Sequence, residues 1–188
     1  MTDSFAGRST VTAPPQWAEG LAAGIHAVGS RDVLYVPDNP LSHIVRVLES
    51  RHLDIRLVVA TREEEAVGIA AGLYLGKHRP TVMMQSSGIG NALNALGSLL
   101  IAYQIPILLV VSMRGDPGEW NWAQVPLGRA IRPVLDALGM QYTVIDRAEE
   151  AEERVRLAGS LAFGARFPAA CLLPLALTSP VEPPRTLA

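Results

Sequence analysis

Apolar positions along the chain follow two alternating rhythms. Short aliphatic runs at 32–36, 55–60, 81–85, 106–112, 141–145 and 169–173 read as strands. Between them lie longer stretches at 17–27, 40–49, 62–76, 91–103, 127–138 and 148–163, in which apolar residues return every three or four positions, as in helices with one buried face. Pro40 sits in the first turn of the second helix, with Ile44, Val45 and Leu48 on one side. Thr61 is the expected N-cap of the third helix. Residues 86–90, Ser-Ser-Gly-Ile-Gly, are expected to turn the chain from the third strand into the fourth helix. Strands alternating with crossover helices predict an α/β fold: an open, mainly parallel six-stranded sheet with helices on both faces and ligands at the carboxyl ends of the strands. The polar start up to Pro14-Pro15 and the Pro-rich end predict tails at 1–15 and 179–188, leaving one domain over 16–178.

Composition narrows the function classes. The 188 residues are 49% hydrophobic and 18% charged, with a mean hydropathy of +0.23, which excludes a disordered solvating segment. Sixteen basic and 18 acidic residues give a net charge of −2, without the basic cluster that a nucleic-acid backbone demands, so no nucleic-acid partner is expected. The most apolar run, 105–112, is too short to cross a bilayer, and the N-terminus lacks the apolar core of a signal peptide, so no membrane role is expected. A single cysteine, Cys171, has no internal disulfide partner and fits a reducing, cytoplasmic setting.

Two corners of the chain carry candidate chemistry. Ser86-Ser87-Gly88-Ile89-Gly90-Asn91 follows a strand and opens a helix, so its backbone N–H groups could take an anion or the polar edge of a ligand. Glycines that merely permit a tight turn explain the same residues equally well. No Gly-Lys-Ser/Thr follows, so this is not a Walker loop. At the other corner, Arg62-Glu63-Glu64-Glu65 opens a helix, where the dipole accounts for at least two of the carboxylates. Ala66, Gly68, Ala70, Ala71 and Gly72 then leave that helix with little bulk, permitting close approach by a backbone, a subunit or a cofactor ring.

Residues 61–72, Thr-Arg-Glu-Glu-Glu-Ala-Val-Gly-Ile-Ala-Ala-Gly, together with 84–91, Met-Gln-Ser-Ser-Gly-Ile-Gly-Asn, resemble the pyrimidine-binding (PYR) domain of thiamine-diphosphate-dependent decarboxylases. The likeness is to the alpha subunit of sulfopyruvate decarboxylase and the corresponding half of phosphonopyruvate decarboxylase. Residues 105–108, 112–115 and 124–130 are similar to the same subfamily, and the resemblance spans about 33–138. It implies that Glu63 is the catalytic carboxyl group that hydrogen-bonds a ring nitrogen of the cofactor's aminopyrimidine, a role that asks for a shielded carboxyl able to share a proton. Gln85, Ser87, Gly88 and Asn91 join Glu63 as implied cofactor-binding residues, and Glu64 and Glu65 remain helix-start charges.

The resemblance further sets residues 36–40, Val-Pro-Asp-Asn-Pro, beside the substrate, with Asp38 or Asn39 in contact; turn formers in a Pro-flanked loop are the competing reading. His43 is a candidate proton donor or an ordinary polar helix residue. Arg114 is a candidate partner for a sulfonate, phosphonate or carboxylate, or else a solvated arginine in a turn. Arg129 has the same two readings, and Trp120 and Trp122 nearby could cover a subunit interface. The Gly-Asp-Gly segment with a later Asn that holds diphosphate and a divalent cation in these enzymes is missing, since Gly115-Asp116-Pro117 is not that motif. The resemblance therefore implies thiamine diphosphate as cofactor, Mg²⁺ held by a separate beta subunit rather than by this chain, and assembly into a dimer or heterotetramer. The expected activity is decarboxylation of a short 2-oxo acid with a second anionic group, such as 3-sulfopyruvate or 3-phosphonopyruvate. A noncatalytic or regulatory module on the same fold and a carboligase subunit are the alternatives.

Overall fold

The three most apolar runs become the centre of the sheet because helices cover them on both sides. In the computed structural model, which describes residues 13–179, β3 (Pro80–Gln85), β4 (Leu108–Ser112) and β6 (Ala169–Leu173) are buried almost throughout. With β1 (Asp32–Tyr35), β2 (Arg56–Val59) and β5 (Gln141–Val144) they form one parallel sheet in the order β2-β1-β3-β4-β6-β5. The partly exposed β2 and β5 are its edges. The chain moves from β1 outward to β2, then returns to place β3 on the other side of β1. A switch in strand order of this kind opens a crevice at the carboxyl ends of the two flanking strands.

Two helical layers close the sheet. On one face α1 (Gln16–Ala27), α2 (Asn39–Arg51) and α6 (Ala151–Ala165) bury Leu21, Ile25, Ile44, Leu48 and Val155 against Val33, Met83 and Val110. On the other, α3 (Glu63–Leu75), α4 (Ser86–Ala95) and α5 (Val125–Ala137) bury Ala66, Ala70, Ile89 and Ile131 against Leu34, Val82 and Leu109. A short α7 (Leu175–Thr178) follows β6. Cys171 lies in the middle of β6, where burial pushes its thiol up to about 12. No helix among the described residues is long and apolar enough to cross a membrane. Most of the two expected tails, residues 1–12 and 180–188, lies outside the described residues.

Two local expectations need correction. Thr61 does not cap α3: the N-cap is Arg62, and the Thr61 hydroxyl donates to Glu65 at 2.6 Å instead of accepting from the helix. Glu65 also accepts the Thr61 backbone N–H at 2.8 Å, so the carboxylate of the third residue ties down the entering chain. The segment 86–90 is not a turn. It is the first part of α4, which starts at Ser86 directly after β3 and widens into a π-helical turn over Leu96–Ile101. Its glycines serve close packing at helical backbone angles rather than a reversal.

At the amino ends of the strands, buried Asp32 accepts from His78 Nδ1 at 2.6 Å and from Arg56 Nε at 2.7 Å. Those two donors and the Arg56 ion pair consume this carboxylate in holding the first strand to its neighbours.

Candidate active site

Three segments meet near the carboxyl ends of β1 and β3: the loop leaving β1, the first turn of α4 after β3, and the first turn of α3. Glu63, the first residue of α3, is half-buried and leans across α4. Its Oε2 accepts from Asn91 Nδ2 at 2.9 Å. A Cβ at Gly88 would stand 2.4 Å from Glu63 Cγ and 2.7 Å from Oε1, so only glycine leaves room for this carboxylate. Oε1 has no hydrogen-bond partner among the described residues, which leaves one oxygen tied and one offered. Its two neighbours are occupied differently. Arg62 beside Glu64 holds that carboxyl below the usual range, and the Thr61 hydroxyl does the same for Glu65. The Oε2 of Glu64 is buried without a partner, and nothing among the described residues explains it.

Asp38, Gln85, Ser87 and Ser112 form a second polar cluster across the carboxyl ends of β1, β3 and β4. Gln85 Nε2 donates to Asp38 Oδ1 at 3.1 Å, and Ser112 Oγ donates to Asp38 Oδ2 at 2.6 Å. Ser87 Oγ in turn donates to Gln85 Oε1. Gln85, expected beside a cofactor, thus spends its amide N–H on Asp38, and Ser87, also expected there, spends its hydroxyl on Gln85. Asn39 begins α2, is exposed, and lends its backbone oxygen to Ser42.

His43 does not join either cluster: it packs edge-on against Trp17 with ring centroids 5.8 Å apart, and burial, with Arg46 adding to it, keeps its imidazole below its ordinary value. Arg114 does not offer a free guanidinium. Its Nε donates to Glu119 at 2.7 Å and its Nη2 to the other oxygen at 3.2 Å, which raises the arginine and lowers Glu119. Glu119 also takes the N–H of Asn121, and Ser86 Oγ takes the N–H of Arg114, so the loop after β4 is braced to the start of α4. Arg132 is paired with Asp116 at 3.2 Å, whereas Arg129 opens onto a cleft of about 480 Å³ beside the same loop without an ion-pair partner among the described residues. Trp120 and Trp122 project from this loop at 86% and 84% exposure.

Two residues of the site were not singled out from sequence. Ser112 is the one hydroxyl closing an otherwise apolar strand, a signal that was present but unmarked. Glu119 carries no motif, but it lies five residues after Arg114 in the same loop, a spacing that the sequence did offer.

The site has the chemistry an aminopyrimidine requires. One carboxyl oxygen is free, its partner oxygen is fixed by an amide, and Gly88 leaves room for the side chain beside it. Residues 16–122 match the family described as thiamine pyrophosphate enzyme, N-terminal TPP binding domain. The sulfopyruvate decarboxylase subunit alpha of Methanococcus maripaludis is 36% identical over 149 residues, 78% of this chain and 89% of that one. Its counterpart from Methanocaldococcus jannaschii is 40% identical over 137 residues, covering 73% and 80%. Phosphonopyruvate decarboxylase of Streptomyces viridochromogenes is 35% identical over 129 residues, 68% of this chain but 32% of the longer relative. Among solved structures, 2-oxoglutarate:ferredoxin oxidoreductase from Magnetococcus marinus superposes with a TM-score of 0.71 at 16% identity, over 86% of this chain and 29% of that one, a likeness of fold. The expected fold and family are thus met, and the chain belongs to the thiamine pyrophosphate enzymes as a member of their N-terminal binding-domain family.

Proposed function

We propose that this chain is the alpha subunit of a thiamine-diphosphate-dependent decarboxylase that, with a separate beta subunit, converts 3-sulfopyruvate or 3-phosphonopyruvate to the aldehyde and carbon dioxide. Two-chain organisation is supported by relatives named subunit alpha that align over 80–89% of their own length. The phosphonopyruvate enzymes match over only about a third of theirs. The observation that carries the reading is Glu63, with Oε2 held by Asn91 and Oε1 open beside Gly88.

When bound, the cofactor supplies the electron sink for the carbon–carbon bond that breaks. This chain's part is to seat its pyrimidine ring. Glu63 Oε1 shares a proton with a ring nitrogen, and Asn91 keeps the carboxyl from rotating away. Gly88 makes room for the Glu63 side chain against α4, which is what would hold the carboxyl in place for the ring. Asp38 faces the substrate from the β1 loop. The net reaction consumes one proton, placed on the carbon that the carboxylate leaves. The beta subunit holds diphosphate and Mg²⁺ and covers the exposed side of α3, where Gly68 and Gly72 face open space and Ile69 and Leu75 are exposed.

The test is co-expression with the beta subunit and measurement of carbon dioxide release from both acids with thiamine diphosphate and Mg²⁺. Glu63→Gln is expected to lower kcat by about 10²–10⁴, the range for loss of a positioned proton-transfer group, with the complex still assembled. Release that persists in the variant removes Glu63 from the mechanism. An assembled, cofactor-loaded complex that acts on neither acid means the substrate class is wrong, and a complex that takes no cofactor favours the noncatalytic module.

A further inference from the structure

We infer that Ser112 and Gln85 are positioning residues that fix the Asp38 carboxylate toward the substrate. The inference rests on the reading of Asp38 as a substrate-facing group and goes beyond it, since both residues are assigned a role through Asp38. Asp38 sits on the loop between β1 and α2 with extended backbone, at a point where its side chain makes no cap hydrogen bond to its own helix. Its orientation is therefore set from elsewhere. Each oxygen receives one donor from a different strand: Gln85 at the end of β3 and Ser112 at the end of β4.

Donors on both oxygens from two rigid strands stop rotation of the carboxylate about its terminal bond, where a single hydrogen bond would leave it free to swing. Ser112 is fully buried, so its hydroxyl is not exchanged for water. Gln85 is itself oriented, because Ser87 occupies its carbonyl oxygen and so leaves the amide N–H₂ facing Asp38. The chain Ser87–Gln85–Asp38 runs from the first turn of α4, one residue from the Gly88 surface under Glu63, to the substrate loop. Rigid donors on both sides make Asp38 ready before substrate arrives, which is where preorganisation acts on rate.

Two measurements test this. In the assembled enzyme, Ser112→Ala removes one hydroxyl from a buried site without adding bulk. It is expected to lower kcat about tenfold, the effect of one hydrogen bond to a charged group, while KM stays within about twofold. Combined with Asp38→Asn it is expected to cost no more than Asp38→Asn alone, because both changes act through one carboxylate. In the isolated chain without cofactor, the ¹⁵N-edited spectrum is expected to show the Gln85 side-chain amide displaced from the solvent-exposed glutamines, and to lose that displacement in Asp38→Ala.

A Gln85 amide indistinguishable from exposed glutamines in the wild type overturns the inference without any assay. So does a Ser112→Ala enzyme with unchanged kcat when Asp38→Asn is crippled. A fully active Asp38→Asn enzyme instead refutes the substrate-facing role of Asp38. If the wild type acts on neither acid, the proposed substrate falls, and the amide spectrum still decides the positioning.

Discussion

Two helices of this chain carry the same spacing of glycines and use it in opposite ways. In α1, Gly20 and Gly24 lie against α6, where an added Cβ would come within 2.9 Å of Ala151 Cβ and 2.6 Å of Val155 Cβ. In α3, Gly68 and Gly72 have the same interval, and an added Cβ would meet nothing within 4 Å. The first pair is a closed helix contact inside the chain. The second is the same surface left open. Small residues fix how near a neighbour can come, and only the fold decides whether that neighbour is already present. Where the partner lies within the chain, a change is expected to appear as lost stability; where it lies outside, as lost association.

The largest effect should come from a braced pair wholly within the chain. Glu119 is almost fully buried and is held below the ordinary carboxylate range first by its hydrogen bond from Arg114. Glu119→Gln is expected to cost about 3 kcal/mol at pH 7, since it strands a largely buried guanidinium. A carboxyl lowered on folding stabilises above its unfolded value and loses that contribution as pH falls through its folded value. The difference between variant and wild type should therefore close in urea melts taken below about pH 4. A gap that stays constant with pH would show that the pair adds no charge-dependent stability.

Next is Gly24→Ala, expected to destabilise by about 2 kcal/mol as α1 is pushed off α6, even though alanine is the better helix former by about 1 kcal/mol. Equal urea midpoints for variant and wild type would break the contrast at its closed side. The smallest effect on the chain itself is expected from Gly68→Ala and Gly72→Ala, each gaining about 1 kcal/mol or less. Their cost should appear in co-purification with the beta subunit, which is expected to fail. Variants that keep the beta subunit at wild-type stoichiometry would move the interface away from α3.

The sequence made the layers legible because burial on two faces and burial on one face leave different rhythms. The β-branched run ending in Leu108-Leu109-Val110-Val111 suits a buried strand and lies inside the sheet, and the mixed pattern of Gln141–Val144 fits its place at an edge. Glu63 is singled out by a family motif rather than by chemistry, since three successive glutamates look alike until their partners are placed. The start of α4 was misread because Gly88 looks the same in sequence whether it serves a turn or makes room for a carboxylate. Arg114 and His43 show the other limit. Their engagement by Glu119 and Trp17 depends on side-chain directions that spacing does not encode.

The two rims of the sheet also differ in charge. At the amino rim, Asp32 is matched by Arg56 and His78. At the carboxyl rim, Asp38 and Glu63 are met by amides and hydroxyls, and the nearby Arg114 is already committed to Glu119. This gives the crevice an electrical direction. A molecule with an anionic tail and a neutral heteroaromatic head would enter it more favourably head first, because tail-first entry sets like charges together. Such entry would sort the two ends of the ligand by repulsion and leave the tail pointing outward, toward whatever supplies the opposite charge.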